Sequence, residues 1–292
     1  MELGIGYALV AAVIWGVYIF YLKRTFRGYS AATLTVLVNG FALGWYLPLL
    51  GVSAGYGEAV GALGGFGVDD AAVLALTVVT IAGANVAFLR ALAVGDVSYV
   101  APINKVVPVF VLPIEVVFLG QFLTPLQIGG VVVATAAVYI ANFQGGSLLG
   151  PLRRAASSRA AQLALGSAML FAVSDVAKRF ALQELAIPTA LWVPLLFGGV
   201  MVVLLPSVLR SARPPIEGDV AKLAVAGGFV ASGEYVTTLA FSLVPASIAS
   251  PIINAQAIVA VVLGGIVLGE RYFRVRVAAA VLAVAGVTMI AI

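Results

Sequence analysis

The chain has 292 residues, of which 63% are apolar and only 10% are charged, and its mean hydropathy is +1.15. Soluble domains carry roughly 25% charged residues, so this composition excludes a water-facing globular surface. In a bilayer the unit of structure is a span of about 20 apolar residues, and ten such spans with short connections leave no room for a soluble catalytic domain.

Cysteine and histidine are both absent. Their absence excludes disulfides, thiolate chemistry, imidazole metal ligands and any Ser-His or Cys-His catalytic pair. The 12 acidic residues are mostly scattered, so we expect neither a metal centre nor a cofactor. The net charge is +4, but the sequence has no stripe of basic residues interleaved with aromatic ones, so we do not expect nucleic-acid binding. A bias of basic residues toward the loops on one side of the membrane explains the charge better.

Charges, glycines and prolines divide the chain into ten apolar runs, and we predict an all-α integral membrane protein of ten transmembrane helices. The first five predicted spans are 4–22, 31–51, 71–93, 97–119 and 125–143. The second five are 161–182, 188–209, 219–241, 246–268 and 275–292. A polar linker at 144–160 separates a first five-helix domain (1–143) from a second one (161–292).

An internal repeat relates the two halves. A shift of 149 residues places Ser98 on Ser247, Pro102 on Pro251 and Gly120 on Gly269 without a gap. Because each half holds an odd number of spans, the second half must enter the membrane from the opposite side, which makes the repeat inverted. Inverted halves commonly meet at a binding site near the bilayer midplane.

The basic residues predict the orientation. Twelve of them fall on one predicted face: Lys23, Arg24, Arg27, Arg153, Arg154, Arg159, Arg210, Arg213, Lys222, Arg271, Arg274 and Arg276. The opposite face has only Lys178 and Arg179, and its loop between spans 2 and 3 carries Glu58, Asp69 and Asp70. By the positive-inside rule, this asymmetry predicts a multi-pass protein of the cell membrane with both termini outside the cytoplasm.

The closing spans of each half carry recurring features: a serine near the span start, a proline soon after, and a Gly-Glu turn before a last span rich in small residues. Gly269-Glu270 fits that turn, Gly120-Gln121 differs from it by one amide, and Trp15-Gly16 lies in the first span. These features resemble EamA repeats of the drug/metabolite transporter superfamily, over nearly the whole chain in two copies. The resemblance implies a ten-helix fold and metabolite or drug transport, and it implies cytoplasmic termini, contrary to the charge count.

Ionisable residues deep in a span are costly and are candidates for function. Lys105 lies about 12 Å into the bilayer, near the midplane, and its repeat mate is Asn254. Together with Asn104 and Gln256 they predict a polar substrate site, although Lys105 could instead only neutralise a buried carboxylate. For Arg90, Lys178 and Arg179, which lie nearer span ends, we expect the side chains to snorkel to the interface.

Two carboxylates are candidates for proton coupling. Glu234 lies about 10 Å below the end of its span, and its repeat mate is Asn85, which we add to the predicted substrate site. Asp175 is the second candidate, unless Lys178 simply pairs with it along the helix. Tyr18 is an aromatic candidate for the cavity wall, although interfacial belts also use tyrosine.

Prolines and small residues suggest how the helices move and pack. Pro102 and Pro251 remove helical donors at equivalent positions, which predicts a bent pair of gating helices. Glycine and alanine in spans 5 and 10 predict either a packing seam between the halves or a homodimer contact.

The predicted function is a secondary transporter, with export favoured, of small metabolites such as amino acids. A zwitterion would place its carboxylate on Lys105 and its ammonium on Glu234 or Asp175, one of which could also carry a proton. An exchanger of phosphorylated metabolites or nucleotide sugars is the alternative, with Lys105 and Arg90 or Arg179 as a phosphate clamp. A membrane scaffold remains a further reading, and an intramembrane enzyme is disfavoured by the missing histidine and cysteine.

Overall fold

The structure is a computed structural model in which the described residues are all-α. These residues are 2–26, 28–52, 55–104, 106–119, 124–141, 156–210, 218–243, 249, 252–269 and 273–291. The helices of the first half are α1 (Glu2–Thr25), α2 (Ala31–Gly51), α3 (Gly55–Leu63), α4 (Val68–Val94), α5 (Val97–Asn104), α6 (Val107–Leu119) and α7 (Pro125–Ala141). Those of the second half are α8 (Arg159–Gln183), α9 (Thr189–Leu209), α10 (Val220–Leu243), α11 (Gln256–Leu268) and α12 (Phe273–Ala291).

Within the described residues, six helices are long and apolar enough to cross a membrane: α1, α2, α4, α8, α9 and α10. The observed helices differ from the predicted elements at several points; α11, for example, begins at Gln256 within the predicted span 246–268. The predicted single span 97–119 is divided into α5 and α6, with Val106 outside both helices, and the predicted loop between spans 2 and 3 contains the short helix α3. Glu58 therefore lies in α3, and Asp69 and Asp70 lie in the first turn of α4.

Many large apolar side chains are exposed on the helix surfaces, and rows of small ones are buried between helices. Leu49, Val202 and Leu209 are more than half exposed, as lipid-facing side chains are expected to be. In contrast, α8 buries a row of alanines, among them Ala161, Ala164, Ala168 and Ala172. Small side chains let helix backbones approach closely, so van der Waals contact and internal hydrogen bonds can hold helices together where lipid offers no hydrophobic drive.

Helix contacts occur in equivalent pairs across the two halves. By order along each half, α1 corresponds to α8, α2 to α9, α4 to α10 and α7 to α12. Helix α1 packs on α10, and the equivalent helices α8 and α4 pack on each other; α2 also packs on α10 as α9 packs on α4. The equivalent helices α2 and α9 contact each other, as do α7 and α12. A two-fold relation between the halves gives this pattern.

Glycine permits a close crossing of α2 and α10. A Cβ atom added at Gly227 of α10 would lie 2.5 Å from Phe41 Cβ and 2.8 Å from the backbone nitrogen of Ala42, both on α2. Only a residue without a side chain allows this approach between the two helices.

Polar contacts cluster on one face of the protein, where α1 and α4 end and where α10 and α12 begin. We call it the basic face. Arg276 of α12 binds Asp96 at 2.9 Å and Ser98 at 2.7 Å, beside the start of α5. Lys23 donates to the carbonyl oxygens of Leu92 and Gly95 at the end of α4, where a cation complements the helix dipole.

A second contact at the basic face joins the α1–α2 connection to the start of α10. The Tyr29 hydroxyl donates to Asp219 at 2.9 Å, and Lys222 binds the same carboxylate at 2.6 Å. The Lys222 hydrogen bond, followed by that of Tyr29, holds the pKa of Asp219 below its usual 3.8. Partial burial, with the nearby Asp219 adding to it, raises the pKa of Tyr29.

Candidate functional site

A cavity of about 160 Å³ lies between the two halves. Residues of α1, α2, α4 and α6 line it from the first half, and residues of α8, α9, α10 and the 253–256 region from the second. Among the described residues, the polar side chains of its lining are Thr35, Asn39, Asn85, Asp175, Lys178, Glu234, Thr237, Asn254 and Gln256. The volume is well beyond the space that one water molecule requires, so the cavity can hold a small solute.

An ion pair lies at the wall of this cavity. Lys178 Nζ of α8 and Glu234 Oε1 of α10 are 2.5 Å apart, and the two residues are 3% and 5% exposed. The Thr238 hydroxyl, one turn after Glu234, donates to the Glu234 backbone carbonyl and lies 3.4 Å from Oε1. Two buried opposite charges at this distance neutralise each other, and separating them without a substitute partner is costly.

Asp175 places a second carboxylate at the same wall. It precedes Lys178 by three residues on α8, so both side chains lie on one helix face, and both line the cavity. Among the described residues that line the cavity, Lys178 is the basic one and Asp175 and Glu234 are the acidic ones. Within this set the carboxylates outnumber the ammonium group by one.

The cavity lining repeats with the 149-residue register. Ile81 and Val230, Asn85 and Glu234, Phe88 and Thr237, and Val107 and Gln256 are equivalent pairs, and both members of each pair line the cavity. The cavity therefore lies where equivalent surfaces of the two halves meet. In the described residues its charges come from the second half, because Asn85 stands where the second half has Glu234.

Aromatic rings form much of the remaining wall. They are Trp15, Tyr18, Phe88, Phe171, Phe197 and Phe241. The Trp15 indole nitrogen donates to the Thr237 hydroxyl at 2.9 Å, and its ring meets Tyr18 edge to face at 5.6 Å. Gly233 leaves room for this ring, since a Cβ there would lie 3.0 Å from Trp15 Cε2. Trp15 is thus held in one orientation from two sides.

The structure brings six of the predicted site residues together at this cavity: Tyr18, Asn85, Asp175, Glu234, Asn254 and Gln256. Lys105 and Pro251 lie outside the described residues. Pro102 is in α5, and α5 does not contribute to the described cavity lining.

Asn104, also predicted at the site, is instead buried between helices and does not line the cavity. Its amide donates to the Ser167 hydroxyl at 3.0 Å and to the Ala164 carbonyl at 3.4 Å, both on α8. Ser167 in turn donates to the Ala84 carbonyl of α4 at 2.8 Å. Asn104 therefore links α5, α8 and α4 through their interior.

The sequence reasoning misplaced Lys178. We expected it to snorkel to the interface, but it is 3% exposed and bound to Glu234. Its side chain is directed into the protein and not toward the interface. The available signal was its spacing from Asp175, which puts both residues on one face of α8.

Trp15, Thr35 and Asn39 were not predicted at the site. Trp15 lies three residues before Tyr18 on the same face of α1, which is the signal that would have added it. Asn39 donates to the Thr35 carbonyl of its own helix at 2.9 Å, so it belongs to the polar face of α2.

The sequence profile of the EamA-like transporter family matches residues 2–143 and again residues 158–292. The chain belongs to the EamA-like transporter family. The resemblance predicted from the Gly-Glu turn and the repeated spans is thereby confirmed, and membership of the drug/metabolite transporter superfamily follows. EamA-like proteins are membrane transporters rather than enzymes, and the six apolar helices agree with a multi-pass membrane protein.

A protein whose crystal structure is titled only "Crystal structure of protein" has a similar fold to this EamA-like chain. The TM-score is 0.65, and the match covers 99% of this chain and 98% of the other at 15% sequence identity. At that identity the likeness concerns the fold alone. Among curated proteins, none matches the chain.

Proposed function

We propose that this EamA-like protein is a secondary transporter of small amine-bearing metabolites such as amino acids, and that it exports them. The observation that carries the proposal is the cavity between the two repeats, whose wall holds the buried Lys178–Glu234 pair. An ionisable group at membrane depth is a functional-site hypothesis by default. A cavity lined by equivalent surfaces of two repeats suits alternating access, in which small changes in packing open one site to either side.

The proposed coupling uses the two carboxylates of the cavity. Lys178 binds Glu234, and a proton or a substrate ammonium group can compete for this carboxylate and for Asp175. Competition between proton and substrate for Asp175 and Glu234 would couple substrate exit to proton entry. The same carboxylates cannot bind both at once, which is the requirement for exchange.

The proposed topology is ten spans in two inverted repeats, in a cell membrane, with both termini outside the cytoplasm. The paired contacts of equivalent helices support the repeat arrangement. The contacts of Lys23 and Arg276 support the orientation, because they bring basic residues of both halves to the ends of α4 and α5 on one face.

The phosphate-exchanger alternative is less well supported. Arg90 is exposed near the end of α4, and Arg179 hydrogen-bonds to Gln183 at 3.4 Å along α8. Neither arginine lines the cavity. Two of the three predicted clamp residues are therefore not directed at a common ligand.

The test is uptake by proteoliposomes of labelled amino acids, sugars and organophosphates, with and without a proton gradient. We expect saturable uptake of amine-bearing solutes, faster with protons supplied on the opposite side, and loss of the proton dependence in Glu234→Gln. The matched control is Glu184→Gln, an exposed carboxylate on the same stretch of chain as Lys178. Uptake of organophosphates alone would overturn the amine assignment, and uptake of no solute would overturn the transporter assignment.

A further inference from the structure

The size of the cavity limits which solutes it can hold, a question that rests on the proposed transport function. The cavity volume is about 160 Å³. In another protein, an engineered cavity of about 150 Å³ takes up benzene. A solute with a short or branched aliphatic chain is of this size, whereas a nucleotide sugar, which joins a base, a ribose, a diphosphate and a hexose, is several times larger. The volume therefore favours a compact solute.

One face of α1 forms a large part of the cavity wall. Its residues Trp15, Tyr18, Ile19 and Leu22 all line the cavity, and their spacing is that of side chains on one helix face. Of the residues that line the cavity in the described part of the chain, Trp15 has the largest side chain. The space that remains for a solute therefore depends on where the Trp15 ring lies.

The Trp15 ring is held in place by contacts with α10 and with its own helix. Its indole nitrogen donates to the Thr237 hydroxyl on α10 at 2.9 Å, and Tyr18 meets the ring edge to face at 5.6 Å. A Cβ at Gly233 of α10 would lie 3.0 Å from Trp15 Cε2 and 3.1 Å from Cζ2. Trp15 lines the cavity and Gly233 does not, so the ring lies between the α10 backbone and the cavity.

The backbone that carries Trp15 is also fixed. A Cβ at the next residue, Gly16, would lie 2.5 Å from Val259 Cβ and 2.9 Å from the Gln256 carbonyl oxygen, both on α11. Helix α1 is thus packed directly on α11 at the residue after Trp15. Packed protein interiors have low compressibility, so α1 has no free space on that side into which it could retreat from a larger solute.

We propose that Trp15 is a specificity-determining residue that sets the upper size limit of the substrate. A solute with a side chain up to the size of a branched aliphatic chain fits beside the ring, whereas a solute with an indole-sized side chain collides with it. Thr237 and Gly233 act as positioning residues, because they fix the ring from α10.

The experiment measures the uptake of alanine, leucine and tryptophan by proteoliposomes that contain the full-length protein. These three solutes share one head group and differ only in the size of the side chain. For the wild type we expect saturable uptake of alanine and leucine, with kcat/KM at least about tenfold higher for leucine than for tryptophan. A tenfold ratio corresponds to about 1.4 kcal/mol.

Trp15→Ala removes the ring from the wall. We expect kcat/KM for tryptophan to rise about tenfold, whereas kcat/KM for leucine changes less than about threefold, because specificity is the ratio of these constants. The matched control is Trp45→Ala. Trp45 also binds α10, by an indole hydrogen bond to the Ala224 carbonyl at 2.9 Å, but it is 52% exposed and does not line the described cavity wall. A purely structural role of Trp15 would lower the uptake of all three solutes together and leave their ratio unchanged.

A second variant makes the cavity smaller and tests the same limit if Trp15→Ala does not fold. Gly233→Ala places a methyl group 3.0 Å from Trp15 Cε2, so the ring must move by a few tenths of an ångström, away from α10 and toward the cavity. We expect leucine uptake to weaken several-fold relative to alanine uptake. Gly228→Ala on the same helix is the control, because its Cβ would lie at an ordinary contact distance of 3.6 Å from Trp45 Nε1.

The outcomes separate this inference from the proposed function. Tryptophan uptake by the wild type as efficient as leucine uptake would overturn the inference alone. The same holds for solute ratios that neither Trp15→Ala nor Gly233→Ala changes, and for saturable uptake of other amine-bearing solutes without any of these three. Absence of uptake for every amine-bearing solute would instead overturn the proposed function.

Discussion

Lys178 and Glu234 stabilise the fold only as a pair. Both are almost fully buried, so either charge alone would remain in a low-dielectric interior without a counter-charge. Removing one partner of a buried ion pair costs about 3–5 kcal/mol, whereas replacing both can be nearly neutral. We therefore expect Lys178→Met and Glu234→Gln each to lower the melting temperature of the detergent-purified protein, and the double variant to recover most of the loss.

The control for this cycle is Arg179→Met, the neighbouring and less buried basic residue, which should leave the melting temperature near that of the wild type. Additive losses in the double variant would contradict a direct interaction between Lys178 and Glu234.

For single residues, the sequence indicates how far a charged residue lies from the end of its span. It does not indicate the direction in which the side chain points. Counting residues from a span end identified Glu234 and Asp175 as buried charges that need a partner or a role, and both line the cavity. The same counting placed Lys178 within snorkelling distance of an interface. Lys178 instead points into the protein because it binds Glu234 on another helix. Glu234 is 56 residues away in the sequence, so a local sequence pattern cannot predict this contact.

At the scale of helices, the prolines of the predicted span 97–119 indicated that the helix is interrupted, but they did not indicate where. Pro102 was predicted to bend its helix, yet it lies within α5, and the interruption comes after Asn104 and before Pro108, the second residue of α6. Proline lacks a backbone donor and is tolerated in the first turn of a helix, where no donor is needed. Pro108 therefore fits the first turn of α6, which begins one residue earlier at Val107.

The α2–α10 crossing gives a prediction for two glycines. At Gly227 a Cβ would collide with the backbone of α2, so Gly227→Ala should force the helices apart and lower the free energy of unfolding by about 1–3 kcal/mol. At Gly44 on α2 nothing lies within 4 Å, so Gly44→Ala should be neutral or stabilise by about 0.5–1 kcal/mol through helix propensity. Unfolding by denaturant in mixed micelles measures both, and equal effects would contradict the close crossing.

The contact between the α1–α2 connection and the start of α10 predicts an acid dependence. Because Lys222 and Tyr29 lower the pKa of Asp219 below 3.8, this carboxylate contributes stability that is complete above pH 3.8 and is lost as the pH falls through the folded-state pKa. Melting temperatures from about pH 5 down to about pH 3 should therefore fall more steeply for the wild type than for Asp219→Asn. Parallel curves for the two proteins would show that Asp219 has no favourable partner in the folded state.

For the whole molecule, the repeat was readable because equivalent positions keep their residue types. The 149-residue register found from serine, proline and glycine also pairs cavity residues with one another, including Asn85 with Glu234. The sequence alone does not show which side chains of different helices meet in the folded protein. Asn104 binds Ser167 between helices, whereas Ile253, its equivalent in the second half, lines the cavity together with Asn254. Nothing in the sequence indicates this difference.

The absence of cysteine makes the proposed orientation testable with single-cysteine variants. Gly57→Cys in α3 lies on the face opposite the basic face, and Ala156→Cys lies just before α8 on the basic face. In intact cells, a membrane-impermeant maleimide should label the Gly57→Cys variant and should label Ala156→Cys only after lysis. The reverse pattern would place the termini in the cytoplasm, as the family resemblance implies.

If the cavity between the repeats is the transport site, its wall must be reachable from each side of the membrane and shielded by a bound substrate. Val230 lines the cavity and is the repeat equivalent of Ile81. A single cysteine is placed at Val230, and an impermeant thiol reagent is added to either side of proteoliposomes. A cysteine at the lipid-facing Val202 is the control. We expect the Val230→Cys protein to react from both sides and a transported substrate to slow both reactions, without affecting Val202→Cys. Reaction at Val230→Cys that a transported substrate leaves unchanged would contradict the claim.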